Sequence, residues 1–151
     1  MIQACAGLWI DATAPNMYYP QRTAFEVNVE AIVLNPGLHV ELLKVNDMAV
    51  NSALTTNVLW RGKESCSWPS TTQPYWLNKP HSLGKFSVEQ KDLGNPTNPQ
   101  KPAIQLTFKI EGHDFTVTTP IQHKKVDPVQ GETYQDIAIV PPITATLSTP
   151  N

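Results

Sequence analysis

The chain predicts an all-β fold, an immunoglobulin-like antiparallel β-sandwich of about seven to nine strands. Three observations point there. Apolar and polar residues alternate with period two from Thr23 to Leu34 and again from Ala103 to Glu111. The 14 prolines among 151 residues are spread too evenly to leave room for several long helices. No window sustains the apolar period of a long amphipathic helix.

In Thr23 to Leu34, the residues Phe25, Val27, Val29, Ala31 and Val33 face one way and Glu26, Asn28 and Glu30 the other, the signature of a half-buried strand. Ala103 to Glu111 repeats it, with Ile104, Leu106, Phe108 and Ile110 inward. A turn at Glu111-Gly112-His113-Asp114 leads into Phe115 to Ile121, so the two segments form a hairpin. Leu38 to Val50 reads as one strand whose phase slips, because Leu38, Val40 and Leu42 share one face while Leu43 and Val45 share the other. A bulge near Leu42 reconciles the two. The opening residues also read as a strand, with Ile2, Ala4, Ala6, Leu8 and Ile10 on one face and Cys5 and Trp9 on the other.

Asn51 to Pro80 has no clean period; a short strand around Val58 to Arg61 precedes a long loop. Leu93 to Pro102 is rich in turn residues. Near the end, Asp136 to Val140 stops at Pro141-Pro142, and Ile143, Ala145 and Leu147 alternate beyond it. Prolines at that place suggest an edge or a crossover between sheets. With no repeat and no low-complexity tract, residues 1–151 form one domain.

A hydrophobic fraction of 40%, a charged fraction of 16% and a net charge of -2 describe an ordinary globular domain. They offer neither the basic field that nucleic acid requires nor a charge block suited to a membrane surface. The amino terminus lacks the basic segment and long apolar run of a signal peptide or membrane span, so the chain is either cytoplasmic or a piece of a longer one. Cys5 and Cys66 are read as free, buried thiols rather than a disulfide, although sequence alone fixes neither their separation nor their direction.

The residues suited to metal binding are His39, His81, His113, His123 and Asp127, but their spacing brings no ligands onto one face and they read as surface side chains. There is no GxSxG elbow, no phosphate-binding glycine loop and no activated-cysteine signature around Cys66. Catalytic, cofactor and metal residues are therefore not assigned. Trp60, Trp68, Tyr75 and Trp76 crowd into one irregular region. Such rings either stack on sugar faces or plug the open end of a sandwich, and the plug, with Tyr75 and Trp76 buried, is the preferred reading. Trp9 leaves the second face of the first strand apolar, which suggests contact with another domain or subunit.

Three stretches carry a family resemblance: ACAGLW at the start, QPYWL followed by Gly84-Lys85-Phe86-Ser87-Val88, and DPVQGE followed by IVPP near the end. In patches over nearly the whole chain, they resemble the non-catalytic region that follows the deacetylase domain in large bacterial PIG-L (LmbE-like) proteins. The catalytic half of that family carries a zinc-binding His-Pro-Asp-Asp type motif, and no such string occurs here. The resemblance implies an accessory β-rich domain, not itself an enzyme and without a cofactor, belonging to a longer secreted, periplasmic or cell-surface protein. Its partner would be the N-acetylglucosaminide deacetylase-type domain of the parent chain. A carbohydrate-binding module using the loop aromatics is the alternative.

Overall fold

A computed structural model describes residues 2–98 and 100–143. A single helical turn, α1 (Ile2–Cys5), precedes eleven strands. The first six are β1 (Leu8–Ala14), β2 (Tyr18–Pro20), β3 (Phe25–Val33), β4 (Val40–Val45), β5 (Met48–Ala53) and β6 (Trp60–Cys66). After a long loop come β7 (Ala103–Ile110), β8 (His113–Pro120), β9 (Gln122–Asp127), β10 (Gly131–Asp136) and β11 (Ala138–Val140).

One sheet has the order β10-β9-β1-β3-β6, a second has β5-β4-β7-β8, and β2 pairs with β11 apart from both. The chain crosses between these two sheets from β3 to β4, from β5 to β6, from β6 to β7 and from β8 to β9. Within this frame β1-β3-β6 faces β5-β4-β7-β8 as the two layers of a β-sandwich. The pairings are antiparallel except for β1 with β9 and β2 with β11. The strand count exceeds the expected one because the short β2 and β11 and the β9-β10 hairpin are added to this frame.

The core lies between the inner faces. From β1 and β3 come Leu8, Ala12, Phe25, Val27, Val29, Ala31 and Val33; from β4 and β7 come Val40, Leu42, Val45, Ile104, Leu106 and Phe108. Period-two alternation lets a strand present one row to the opposite sheet while water solvates the other, which is why β3 and β7 follow their sequence pattern. The β7-β8 hairpin turns on Glu111-Gly112, with φ +48° and +81°. Both residues are left-handed, as a two-residue turn matched to strand twist requires. The Glu111 carboxylate also accepts the His39 N–H at 2.6 Å, tying this turn to the segment leading into β4.

The bulge falls between Leu42 and Lys44 in both pairings of β4. It lets Leu42 and Val45 both point inward. Leu38 to Val50 is nevertheless two strands, because Asn46-Asp47 turns the chain and pairs Val45 with Met48. Asn46 has φ +49° and holds β7 from the side, its carboxamide oxygen accepting the Gln105 N–H at 2.9 Å. The expected opening strand starts only at Leu8. Ala6 N–H closes a helical bond to the Ile2 carbonyl at 2.9 Å, and Gly7, at φ +59°, redirects the chain into β1. Β6 is longer than the short strand expected around Val58 to Arg61, since it pairs with β3 from Ala31 and Trp60 to Phe25 and Cys66. Ile143 is exposed and follows no strand, and Ala145 and Leu147 lie outside the described residues.

Candidate functional site

Two regions of the sandwich expose apolar groups in organised settings. They lie at opposite ends of β3, a nine-residue strand spanning roughly 30 Å.

At the end where β3 finishes, Trp9 of β1 stands directly opposite Ile32 of β3 on the outer face of the sheet. The Leu34 N–H continues the ladder to the Gly7 carbonyl at 2.9 Å, so Leu34 extends the same outward row beside Ile32. Trp9 is 44% exposed and Leu34 54%, and Val58 adds a further exposed side chain on the loop that Asn57 N–H ties to the Val33 carbonyl. Beyond this apolar row the same face turns polar. Asp11 lies opposite Glu30, and Glu30 in turn opposite Arg61. Arg61 Nε reaches Glu30 Oε1 at 2.9 Å, and Lys63 Nζ reaches Glu26 Oε1 at 2.8 Å.

Asp11 has no ion-pair partner among the described residues; its Oδ1 accepts only the N–H of Ala12. Partial burial raises its carboxyl above the ordinary value, an effect opposed by that hydrogen bond and by Lys124 and reinforced by Glu30 and Glu132. Arg61 balances Glu30, so Asp11, opposite that carboxylate and without an ion pair of its own among the described residues, is the uncompensated negative group next to the Trp9 row.

At the other end, the loop between β6 and β7 is laid down by specific bonds. Arg22 N–H donates to the Trp68 carbonyl at 2.7 Å, and the Thr72 N–H donates to the Ile139 carbonyl while Ile139 N–H returns to Thr72 Oγ1, both at 2.9 Å. These fasten the loop to the β2-β11 pair, which is itself closed by Tyr19. That ring stacks on Phe25 at 4.1 Å, and its hydroxyl accepts the Asn16 N–H.

The four aromatic residues singled out by sequence part company: Trp60 begins β6, opposite Ala31 at the far end of β3, and only Trp68, Tyr75 and Trp76 lie in this loop. Trp60 and Trp68 pack against the core. The Trp60 indole lies over Gly62, so close that a Cβ there would stand 2.3 Å from the ring. Tyr75 is half-buried: its hydroxyl donates to the Asn95 carbonyl at 3.0 Å, and its backbone N–H donates to Asn98 Oδ1 at 2.9 Å. Trp76 is 38% exposed and meets Tyr75 edge to face, with centroids 5.0 Å apart and planes at 81°. The expected burial of Trp76 is thus corrected: Pro74 opens a single 3-10 turn over Tyr75–Leu77, and consecutive residues on so tight a turn cannot both face the core.

Two hollows flank that turn. A small one of about 60 Å3 beside Trp68, Tyr75, Asp92 and Asn98 has room for a few water molecules. A larger groove of about 400 Å3 is bordered by Gln73, Trp76, Asn98, Gln100, Lys101 and Asp136. Lys101 Nζ and Asp136 Oδ2 are paired across it at 2.6 Å.

The histidines do not converge. His39 lies 3.5 Å from Glu41, His81 stacks on Phe86, His113 begins β8, and His123 Nδ1 is 3.2 Å from the Ala14 carbonyl. Asp127 accepts the N–H groups of Val129 and Gln130, which holds its carboxyl below the ordinary range and closes the β9-β10 turn. Among the described residues no group of three or more His, Cys, Asp or Glu side chains could hold a metal ion. Cys5 and Cys66 are both free. Cys5 is exposed on α1 rather than buried, and burial raises the half-buried Cys66 thiol, helped by the nearby Glu64 and opposed by the Asn46 carboxamide. Comparison with protein-family models, curated proteins and solved structures returned no match to this chain.

Proposed function

We propose that this chain is a non-catalytic accessory sandwich of a secreted or cell-surface PIG-L (LmbE-like) deacetylase-type protein, and that it packs against and positions the catalytic domain of that protein. The observation that carries this reading is the outward apolar row of Trp9, Ile32 and Leu34. An aromatic anchor flanked by aliphatic side chains is what a well-packed domain contact uses at its centre. The ACAGLW, QPYWL and DPVQGE strings support the family part of the proposal.

Trp9 leaves on the order of 100 Å2 of ring surface to be covered, worth roughly 2.5 kcal/mol at about 25 cal/mol per Å2. The unpartnered Asp11 beside it favours a basic side chain on the opposing surface, which would also relieve its repulsion with Glu30. Titration calorimetry between this module and the PIG-L-type catalytic domain of the parent chain tests the reading. Trp9→Asp is expected to weaken association by roughly thirtyfold or more. Equal affinity of wild type and variant, or no association at all, would remove the proposal.

A further inference from the structure

We propose that the groove beside Trp76 is a binding subsite for a pyranose unit of a glycan. This rests on a different part of the surface from the domain contact and stands or falls separately. Its volume of about 400 Å3 lies within the roughly 300–1,000 Å3 range of small-molecule sites.

A sugar ring presents an apolar face of C–H groups and a rim of hydroxyls that both donate and accept. The groove offers a partner for each. Trp76 supplies an exposed aromatic surface, which Trp68 and Tyr75 of the same loop do not. Gln73 Nε2 donates to Asn78 Oδ1 at 2.8 Å, and Gln73 Oε1 has no partner among the described residues. Asn98 Oδ1 accepts the Tyr75 N–H, and its NH2 group has no partner among the described residues. Gln100 borders the groove and makes no side-chain hydrogen bond among the described residues, so its carboxamide is uncommitted. The Lys101–Asp136 pair adds charged oxygen and nitrogen at the far wall. Asn98 is held from behind, since its Oδ1 accepts the Tyr75 N–H and the Tyr75 hydroxyl donates to the Asn95 carbonyl.

The same features disfavour other occupants. A proline-rich peptide needs parallel aromatic slots, whereas Tyr75 and Trp76 stand at 81° and the Tyr75 hydroxyl is already committed. Nucleic acid needs unpaired positive charge, and the lysine of this groove is paired.

The test is a printed array of microbial and host glycans probed with the whole chain, followed by tryptophan-fluorescence titration of the strongest oligosaccharide and, in parallel, of a decaproline peptide. A saturable oligosaccharide response is expected. Trp76→Ala should weaken it roughly tenfold or more and Trp76→Phe should recover part of the loss. Trp76→Ala also gives up the edge-to-face contact with Tyr75 and should lower the thermal midpoint modestly, whereas Gln100→Ala should weaken binding with unchanged thermal unfolding and without touching any ring. Absence of glycan binding, glycan binding indifferent to Trp76→Ala and Gln100→Ala, or binding of decaproline in place of sugar would each overturn the proposal. Trp9→Asp should leave sugar binding intact, so failure of the domain contact and failure of this subsite give different results.

Discussion

Replacing Gly62 with alanine sets two effects of opposite sign against each other. Glycine inside a strand costs roughly 0.5–1 kcal/mol relative to alanine, so propensity alone makes Gly62→Ala stabilising. Gly62 however lies in the middle of β6 beneath the Trp60 indole, and an added Cβ would stand 2.3, 2.9 and 3.0 Å from three ring carbons. Those atoms are the far end of a side chain with two torsions, so the ring can swing aside, but it then leaves its packing on the core. Exposing on the order of 100 Å2 of indole costs about 2.5 kcal/mol. The packing term wins, with net destabilisation of about 1.5–2 kcal/mol and a thermal midpoint lower by roughly 3–8 °C for a domain of this size. Urea and thermal unfolding read the change. With Trp60→Ala in the background there is no ring to displace, and Gly62→Ala should become stabilising by roughly 0.5–1 kcal/mol. Stabilisation by Gly62→Ala with Trp60 present, or the same sign in both backgrounds, would refute the claim that Trp60 is a packed plug seated on that glycine.

Phe108 has no exposed surface and sits among the inward residues of both sheets; Phe108→Ala should cost about 3–5 kcal/mol, read as a lower urea midpoint at unchanged slope. Asp11 binds its proton more tightly in the folded state than in the unfolded one. Its contribution therefore falls as pH rises from the ordinary value of 3.8 through the raised folded value, and the penalty is complete above that. Asp11→Asn should accordingly gain stability on wild type across this window and hold the gain at neutral pH, while the two converge below it; a gap that widened on acidification would contradict the assignment. For the thiols, a chromogenic disulfide reagent should label Cys5 rapidly and Cys66 slowly, and intact mass of the untreated protein should show both reduced. Equal rates or a preformed bridge would contradict the structure.

The parts of the fold legible in the sequence are those where one face is continuously buried. Phe25 to Val33 and Ile104 to Phe108 alternate without interruption because each row meets the opposite sheet, and the slip at Leu42 was visible because a bulge leaves an uncorrected phase behind. The turn at Asn46-Asp47 was hidden by Val45, Met48 and Val50 on either side, which read as one apolar segment. Asn and Asp in sequence were the available signal, since both tolerate the turn geometry that Asn46 adopts. Β11 lies within the strand expected over Asp136 to Val140, but β2 was not legible: three residues carry no period, and the pairing of the two joins Tyr18 to Ala138, far apart in the chain. Likewise α1 is one turn whose alternating apolar letters imitate a strand.

The aromatic cluster was legible as a set of residues and not as an arrangement. Whether Trp76 or Trp60 faces solvent depends on the Tyr75–Leu77 turn and on a glycine two residues after Trp60, not on the count of rings. Trp9 was visible from its strand alone, yet the row it forms with Ile32 and Leu34 depends on the β1-β3 register. Nothing in the local sequence marks Asn98 and Gln100 as neighbours of Gln73, because Asn98 joins that turn only through its bond to the Tyr75 backbone.

The most direct test of the accessory-domain account is fluorine NMR of 5-fluorotryptophan-labelled protein, comparing this module alone with the same module in the chain that carries the catalytic domain. The account predicts that the Trp9 resonance moves and loses its sensitivity to solvent isotope, while those of the core-packed Trp60 and Trp68 stay where they were. A Trp9 resonance with the same position and solvent response in both proteins would contradict it.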